Sequence, residues 1–196
     1  MLVIDMGFSD NYIQDLQNII SELPKEKIEV IAKLIYQAYK DGKQIFVFGN
    51  GGSSATASHF ACDLAKNTIK KLNDPNEKRI KVISLTDNQA LISAIANDIS
   101  YEDIFSEQLS SLVNKGDLVI GISASGNSKN VLKTVELASK KGAITIGLIG
   151  FDGGKLKGIT DYNIVVPVKH YGKAEDAHHI ITHIITYYIK ELKLKE

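Results

Sequence analysis

Short apolar runs alternate along this chain with longer stretches in which apolar residues return every third or fourth position. The runs read as strands covered on both faces, and the spaced stretches as amphipathic helices. Two helices come first. Ser9-Asp-Asn11 is placed to cap one that reaches about Ser21, with Ile13, Leu16, Ile19 and Ile20 on its stripe. Pro24 opens the next, in which Ile28, Ile31, Ala32, Leu34, Ile35 and Ala38 keep helical spacing until Asp41-Gly42 ends it. A strand over residues 44–48 runs into a helix from Ala55, with Ala55, Phe60, Ala61 and Leu64 facing inward. A loop over 70–81 holds the sole arginine, Arg79, and a second strand covers 81–85. Thr86-Asp87 caps a helix through Leu91 and Ile95 that breaks at Asn97-Asp98. A further helix spans 101–114, with Ile104, Phe105, Leu109 and Leu112 inward. Strands at 117–122, 143–149 and 162–166 follow, the last halted by Pro167, with a helix at 129–141 and a final one from about Glu175 to Lys190 or beyond.

This alternation predicts an α/β chain: a doubly wound, five-stranded parallel sheet flanked by helices, with two N-terminal helices ahead of it. Those two exceed what a minimal α/β unit needs, so they either cover the sheet or form an oligomer interface. No repeat, low-complexity tract or linker divides the 196 residues, and one domain over 1–196 is expected.

Charge narrows the partners. The 23 basic and 23 acidic side chains cancel, which speaks against nucleic acid or an anionic membrane as the main partner. Cys62 stands alone, so no disulfide can form within the chain. Met1-Leu-Val-Ile-Asp5 has no basic leader, and no run approaches the roughly 18 apolar residues of a membrane span. A cytoplasmic protein is expected.

The chemistry concentrates where strands pass into helices. Gly49-Asn-Gly-Gly52 leads from the first strand to Ser53 and Ser54. Glycines let backbone N–H groups approach an anion, and a helix N-terminus adds roughly half a positive charge. A dinucleotide fingerprint is incomplete, because Ser54 stands at its third glycine and no acidic residue closes the next strand. No Walker A Gly-Lys-Ser/Thr follows either. The second loop, Ser123-Ala-Ser-Gly-Asn-Ser128, repeats the theme. Ser128 alone would be an ordinary cap; three serines after a buried strand suit a sugar phosphate. His59 and Asp63, four apart, share a helix face beyond the first loop. On the final helix, spacing groups Asp176, His179 and His183 on one face, with His178 beside them.

Phe48-Gly-Asn-Gly-Gly-Ser-Ser54, His59-Phe-Ala61, Ala96-Asn-Asp98, Ile122-Ser-Ala-Ser-Gly-Asn-Ser128 and Asp152-Gly-Gly-Lys155 recur in the order of the sugar isomerase (SIS) domain family. The chain resembles that family from about Asp10 to Glu191, and within it the phosphoheptose isomerases. The resemblance implies an aldose–ketose isomerase of a phosphorylated sugar, one zinc ion per subunit and a homotetramer. Asn50, Gly51, Gly52 and Ser53 would line the substrate site, and Asn97 and Asp98 would meet sugar hydroxyls. Ser123, Ala124, Ser125 and Ser128 would hold the phosphate. His59, Asp63, Glu175 and His183 match the zinc positions; Asp63 and His183 would move protons, and Glu175 would also touch substrate.

The chain departs from the family in four places. Asp63 replaces a Glu and is one methylene shorter, Glu175 replaces a Gln, Gly172 an Asp and Asn67 an Arg, with Lys66 and Lys70 near the last. Two rival readings follow: a non-catalytic SIS module, as in a relative that binds a replication initiator protein, or an isomerase of another sugar phosphate. His183 and the small Ala124 separate this chain from that module.

Overall fold

The computed structural model describes residues 7–195; the leader reading of Met1–Asp5 lies outside them. Eight α-helices and five strands follow in the order α1 (Phe8–Ser21), α2 (Lys25–Lys40), β1 (Gln44–Gly49), α3 (Gly52–Lys66), β2 (Lys81–Ser84), α4 (Gln89–Asp98), α5 (Ser106–Ser110), β3 (Leu118–Ser123), α6 (Lys129–Lys140), β4 (Ile144–Ile149), α7 (Leu156–Ile159), β5 (Tyr162–Val165) and α8 (Tyr171–Leu194). The strands form one all-parallel sheet ordered β2-β1-β3-β4-β5, as the alternation predicted.

Both faces of β1, β3 and β4 are buried, which explains why those strand segments lack a polar side. In β1, Ile45 and Val47 join α2, α3 and α8 in one core, while Phe46 and Phe48 join α5, α6 and α7 in the other. The chain leaves β1 toward β2 on one side and, after β3, winds toward β5 on the other. The direction reverses between β1 and β3, and the carboxyl ends of these strands frame a crevice. Both Gly/Ser loops open into it.

Several local expectations change. Helix α3 begins at Gly52, so Ser53, Thr56, Ala57, Phe60 and Leu64 form its inner stripe and Ala55 is exposed. Asn88, and not Thr86-Asp87, caps α4: its side chain accepts the Leu91 N–H at 3.1 Å. Thr86 and Asp87 instead bond Ser84 and Ser58, tying β2 to α3. The segment 101–114 is no continuous helix, but a 3-10 turn (Tyr101–Asp103) followed by the short α5. Tertiary contacts win there: Asp103 pairs with Lys133 of α6 while Phe105 stacks on Phe48 at 5.2 Å, and Leu112 is left 43% exposed. Helix α1 begins at Phe8 without a side-chain cap and buries none of its residues within the chain.

Helix α8 starts at Tyr171, four residues earlier than its pattern suggests, because His170 Nδ1 accepts the Lys173 N–H at 3.3 Å. It lies against α2 and α3. At its far end, the fully buried Lys193 meets Glu77 at 3.3 Å and the Tyr39 ring at 4.5 Å, fastening α8 to the loop before β2. No helix among the described residues is long and apolar enough to cross a membrane.

Candidate active site

The two loops meet across the β1/β3 crevice. Asn50 and Asn130, at the first turn of α6, pair their side-chain amides at 2.9 Å, joining loop one to the helix that follows loop two. Tyr101 adds a 3.2 Å bond from its hydroxyl to Asn50 Oδ1. A cavity of about 140 Å³ results, lined by Asn50, Ser53, Ser123, Ser125, Ser128 and Glu175, with Ala124 and Tyr171 beside them. That volume suits a phosphate and the carbon next to it; whole drug-sized ligands take at least roughly 300 Å³.

Backbone shape makes the cavity possible. Gly126 has φ of +64°, and a Cβ there would lie 2.2 Å from the Gly153 carbonyl oxygen, so only glycine fits. This turn aims the serines inward: Ser123 Oγ lies 3.3 Å from Ser128 Oγ and accepts the Gly126 N–H at 3.2 Å. Ser128 stands at the start of α6 yet makes no capping bond with its side chain. Across the cavity, Gly52 opens α3 with the Glu175 carboxylate against it, and a Cβ on Gly52 would come within 2.5 Å of Glu175 Oε2.

Farther along α3, side chains from α3 and α8 converge. His59 Nε2 and His183 Nε2 are 3.0 Å apart, with the donor set by tautomer. Asp63 Oδ2 lies 3.3 Å from His59 Nε2 and 3.5 Å from His183 Nε2. Asp63 is 6% exposed, and its other oxygen accepts from Asn67 Nδ2 at 2.6 Å, so the residue at the family's arginine position anchors this carboxylate. The shorter side chain still reaches both imidazoles. His179 joins them: nitrogens of His59, His179 and His183 all lie within 4.8 Å of one another. Burial, then the neighbouring His59 and His183, hold His179 below the usual histidine pKa, partly offset by Asp63 and Asp176.

Of the face that spacing marked on α8, His179 and His183 reach this cluster, but Asp176 does not: it accepts the Tyr12 hydroxyl of α1 at 2.7 Å. That bond leads the causes raising the Tyr12 pKa. Glu175 lines the serine cavity. Asn97 and Asp98 are exposed at the end of α4 and bond each other at 2.7 Å, outside the cavity lining. Tyr101, Asn130 and Tyr171 carried no signal in the sequence. Each is one polar or aromatic residue at a helix start, and only the fold brings it to the crevice.

The imidazole–carboxylate cluster can bind a borderline metal or exchange protons, and its donor set fits zinc. The SIS domain family model matches residues 10–150. A probable phosphoheptose isomerase from Thermoplasma acidophilum is 41% identical over 166 residues, 85% of this chain and 88% of that protein. The phosphoheptose isomerase of Fusobacterium nucleatum is 36% identical over 175 residues, covering 89% and 87%. Among solved structures, a phosphoheptose isomerase from Francisella tularensis matches with a TM-score of 0.87 at 26% identity, over 96% of this chain and 100% of that one. Phosphoheptose isomerase GmhA from Neisseria gonorrhoeae gives 0.84 at 27%, over 93% and 96%. Fold, loops and likeness agree, and the chain belongs to the SIS domain family, with the phosphoheptose isomerases.

Proposed function

We propose that this chain is a phosphosugar isomerase that converts sedoheptulose 7-phosphate to D-glycero-D-manno-heptose 7-phosphate, a step of heptose biosynthesis. The carrying observation is a serine-lined anion cavity at the start of α3 with an imidazole–carboxylate cluster farther along the same helix. The relatives named phosphoheptose isomerase support the seven-carbon substrate. Nothing in the structure favours a binding module without chemistry. The described elements from α1 to α8 are taken as one domain, since α8 closes over α2 and α3 in a shared core.

Ser123, Ser125 and Ser128 would hold the phosphate with neutral donors, joined by backbone N–H groups at the start of α6. Asn50, Gly51, Gly52 and Ser53 would line the adjoining carbons, and Glu175 would accept from a sugar hydroxyl. Asn97 and Asp98 would meet hydroxyls reaching out of the cavity on the side of Tyr101, which already touches Asn50. The reaction moves one proton from C1 of the ketose to C2 through an enediol, while a hydroxyl proton passes between the two oxygens. Asp63 and His183, 3.5 Å apart, would carry these protons. A zinc ion held by His59, Asp63 and His183, with Glu175 at the remaining family position, would polarise the carbonyl when bound. Asn67 keeps Asp63 fixed for either role.

Replacing Ser125 with Asp should abolish sugar-phosphate binding, because a carboxylate in the cavity repels the dianion, and leave the fold intact. Calorimetric titration with sedoheptulose 7-phosphate checks this; unchanged affinity would place the phosphate elsewhere. A homotetramer with α1 and α2 in its interface is also proposed. Helix α1 supports this: none of its residues is fully buried within the chain, and Phe8 and Ile13 are 68% and 54% exposed. Light scattering at micromolar concentration should then give a mass several times the 21.5 kDa monomer; a monodisperse monomer would end that reading.

A further inference from the structure

We propose that His179 is a metal ligand of this chain, forming with His59, Asp63 and His183 a site of three imidazoles and one carboxylate, while Glu175 serves the sugar. The inference rests on the metal reading above and changes one of its positions.

Two facing helices each present a pair of donors one turn apart: His59 and Asp63 on α3, His179 and His183 on α8. Residues four apart project from the same helix face, so two such pairs on packed helices point toward one another. The distances bear this out for the three imidazoles, with Asp63 against His59 and His183. Three ring nitrogens fall within 4.8 Å of one another, and the Asp63 oxygen stands 3.3 and 3.5 Å from two of them. In a tetrahedral zinc site with bonds of about 2.0–2.1 Å, neighbouring donors are separated by roughly 3.3 Å. The His59–His179 and His179–His183 ring centroids are 4.5 and 4.7 Å apart, so His179 is as close to the cluster as the pair it joins.

Glu175 is placed differently. Its carboxylate rests against Gly52, at the first residue of α3 and in the lining of the serine cavity. Gly52 precedes His59 by seven residues, about 10 Å along the helix axis. From there the carboxylate faces the N-terminus of α3 and the serine cavity. Charge points the same way: one carboxylate leaves a divalent ion positive and able to draw electrons from a carbonyl, whereas two would neutralise it. Three imidazoles also suit zinc over magnesium or calcium, which prefer oxygen donors.

Zinc affinity, measured by competition with a chromophoric chelator, separates the two assignments. His179→Gln should weaken zinc binding by at least about 100-fold, the upper end of the loss seen for outer-shell partners. It should also alter the visible spectrum of the cobalt-substituted protein. Glu175→Gln should keep zinc affinity within about threefold of wild type and weaken binding of sedoheptulose 7-phosphate instead. His59→Gln, which removes a ligand in both assignments, is the control. Circular dichroism checks each fold, and His179→Asn replaces the glutamine variant if that one fails to fold. Loss of zinc in Glu175→Gln with retention in His179→Gln would overturn the inference and leave the metal reading standing. Failure of the wild-type protein to take up zinc at all would overturn both.

Discussion

Replacing His183 with Asn should lower turnover of sedoheptulose 7-phosphate by about 10²–10⁴-fold, the usual contribution of a positioned acid or base. The imidazole lies 3.0 Å from His59 and 3.5 Å from Asp63, and none of the three lines the serine cavity. Affinity for the sugar phosphate should therefore change far less than turnover, because the groups that hold the phosphate are untouched. Steady-state kinetics beside calorimetry of the same variant checks this split. A matched fall in affinity would mean that His183 binds substrate and moves no proton. Chelation of the wild type should likewise cut activity, with zinc restoring it. A wild type that binds five-, six- and seven-carbon ketose phosphates yet turns over none, with or without zinc, would make the chain a binding module.

The second large effect concerns pH. His178 is fully buried, and neither ring nitrogen has a well-formed hydrogen bond. The Ile149 carbonyl, the backbone group that favours its charged form, already accepts the Val166 N–H at 2.8 Å. Burial accordingly lowers its pKa from 6.5 to about 4. The sign follows from proton binding. Between those values the unfolded chain takes up a proton that the folded chain refuses, so stability is complete above pH 6.5 and falls toward pH 4. Roughly 2–3 kcal/mol should be lost over that window. Denaturant unfolding of the metal-free protein at about pH 7.5 and about pH 4.5, compared with His178→Leu, isolates the effect. The leucine variant should lose that much less, and equal losses would show that His178 is not the group responsible.

What the sequence determined by itself was everything encoded in neighbouring residues. Apolar runs between helical stripes specify an α/β sheet, because a strand covered on both faces needs no polar side. Glycines and serines at strand ends mark the two loops, because backbone approach and neutral donors are local properties. His59 and Asp63 share a face by spacing alone. The tertiary structure decided what depends on segments far apart in the chain. It brought His179 to His59 and His183 while sending Asp176 to Tyr12, since both lie on one stripe of α8 and only the packing of α1 and α3 separates them. It broke the 101–114 helix where Asp103 found Lys133 and Phe105 found Phe48, contacts stronger than the local helical preference. It set Glu175 against Gly52, a contact between the starts of two helices more than a hundred residues apart. Spacing fixes the direction of a side chain from its own helix; which groups it meets depends on how the helices pack across the sheet.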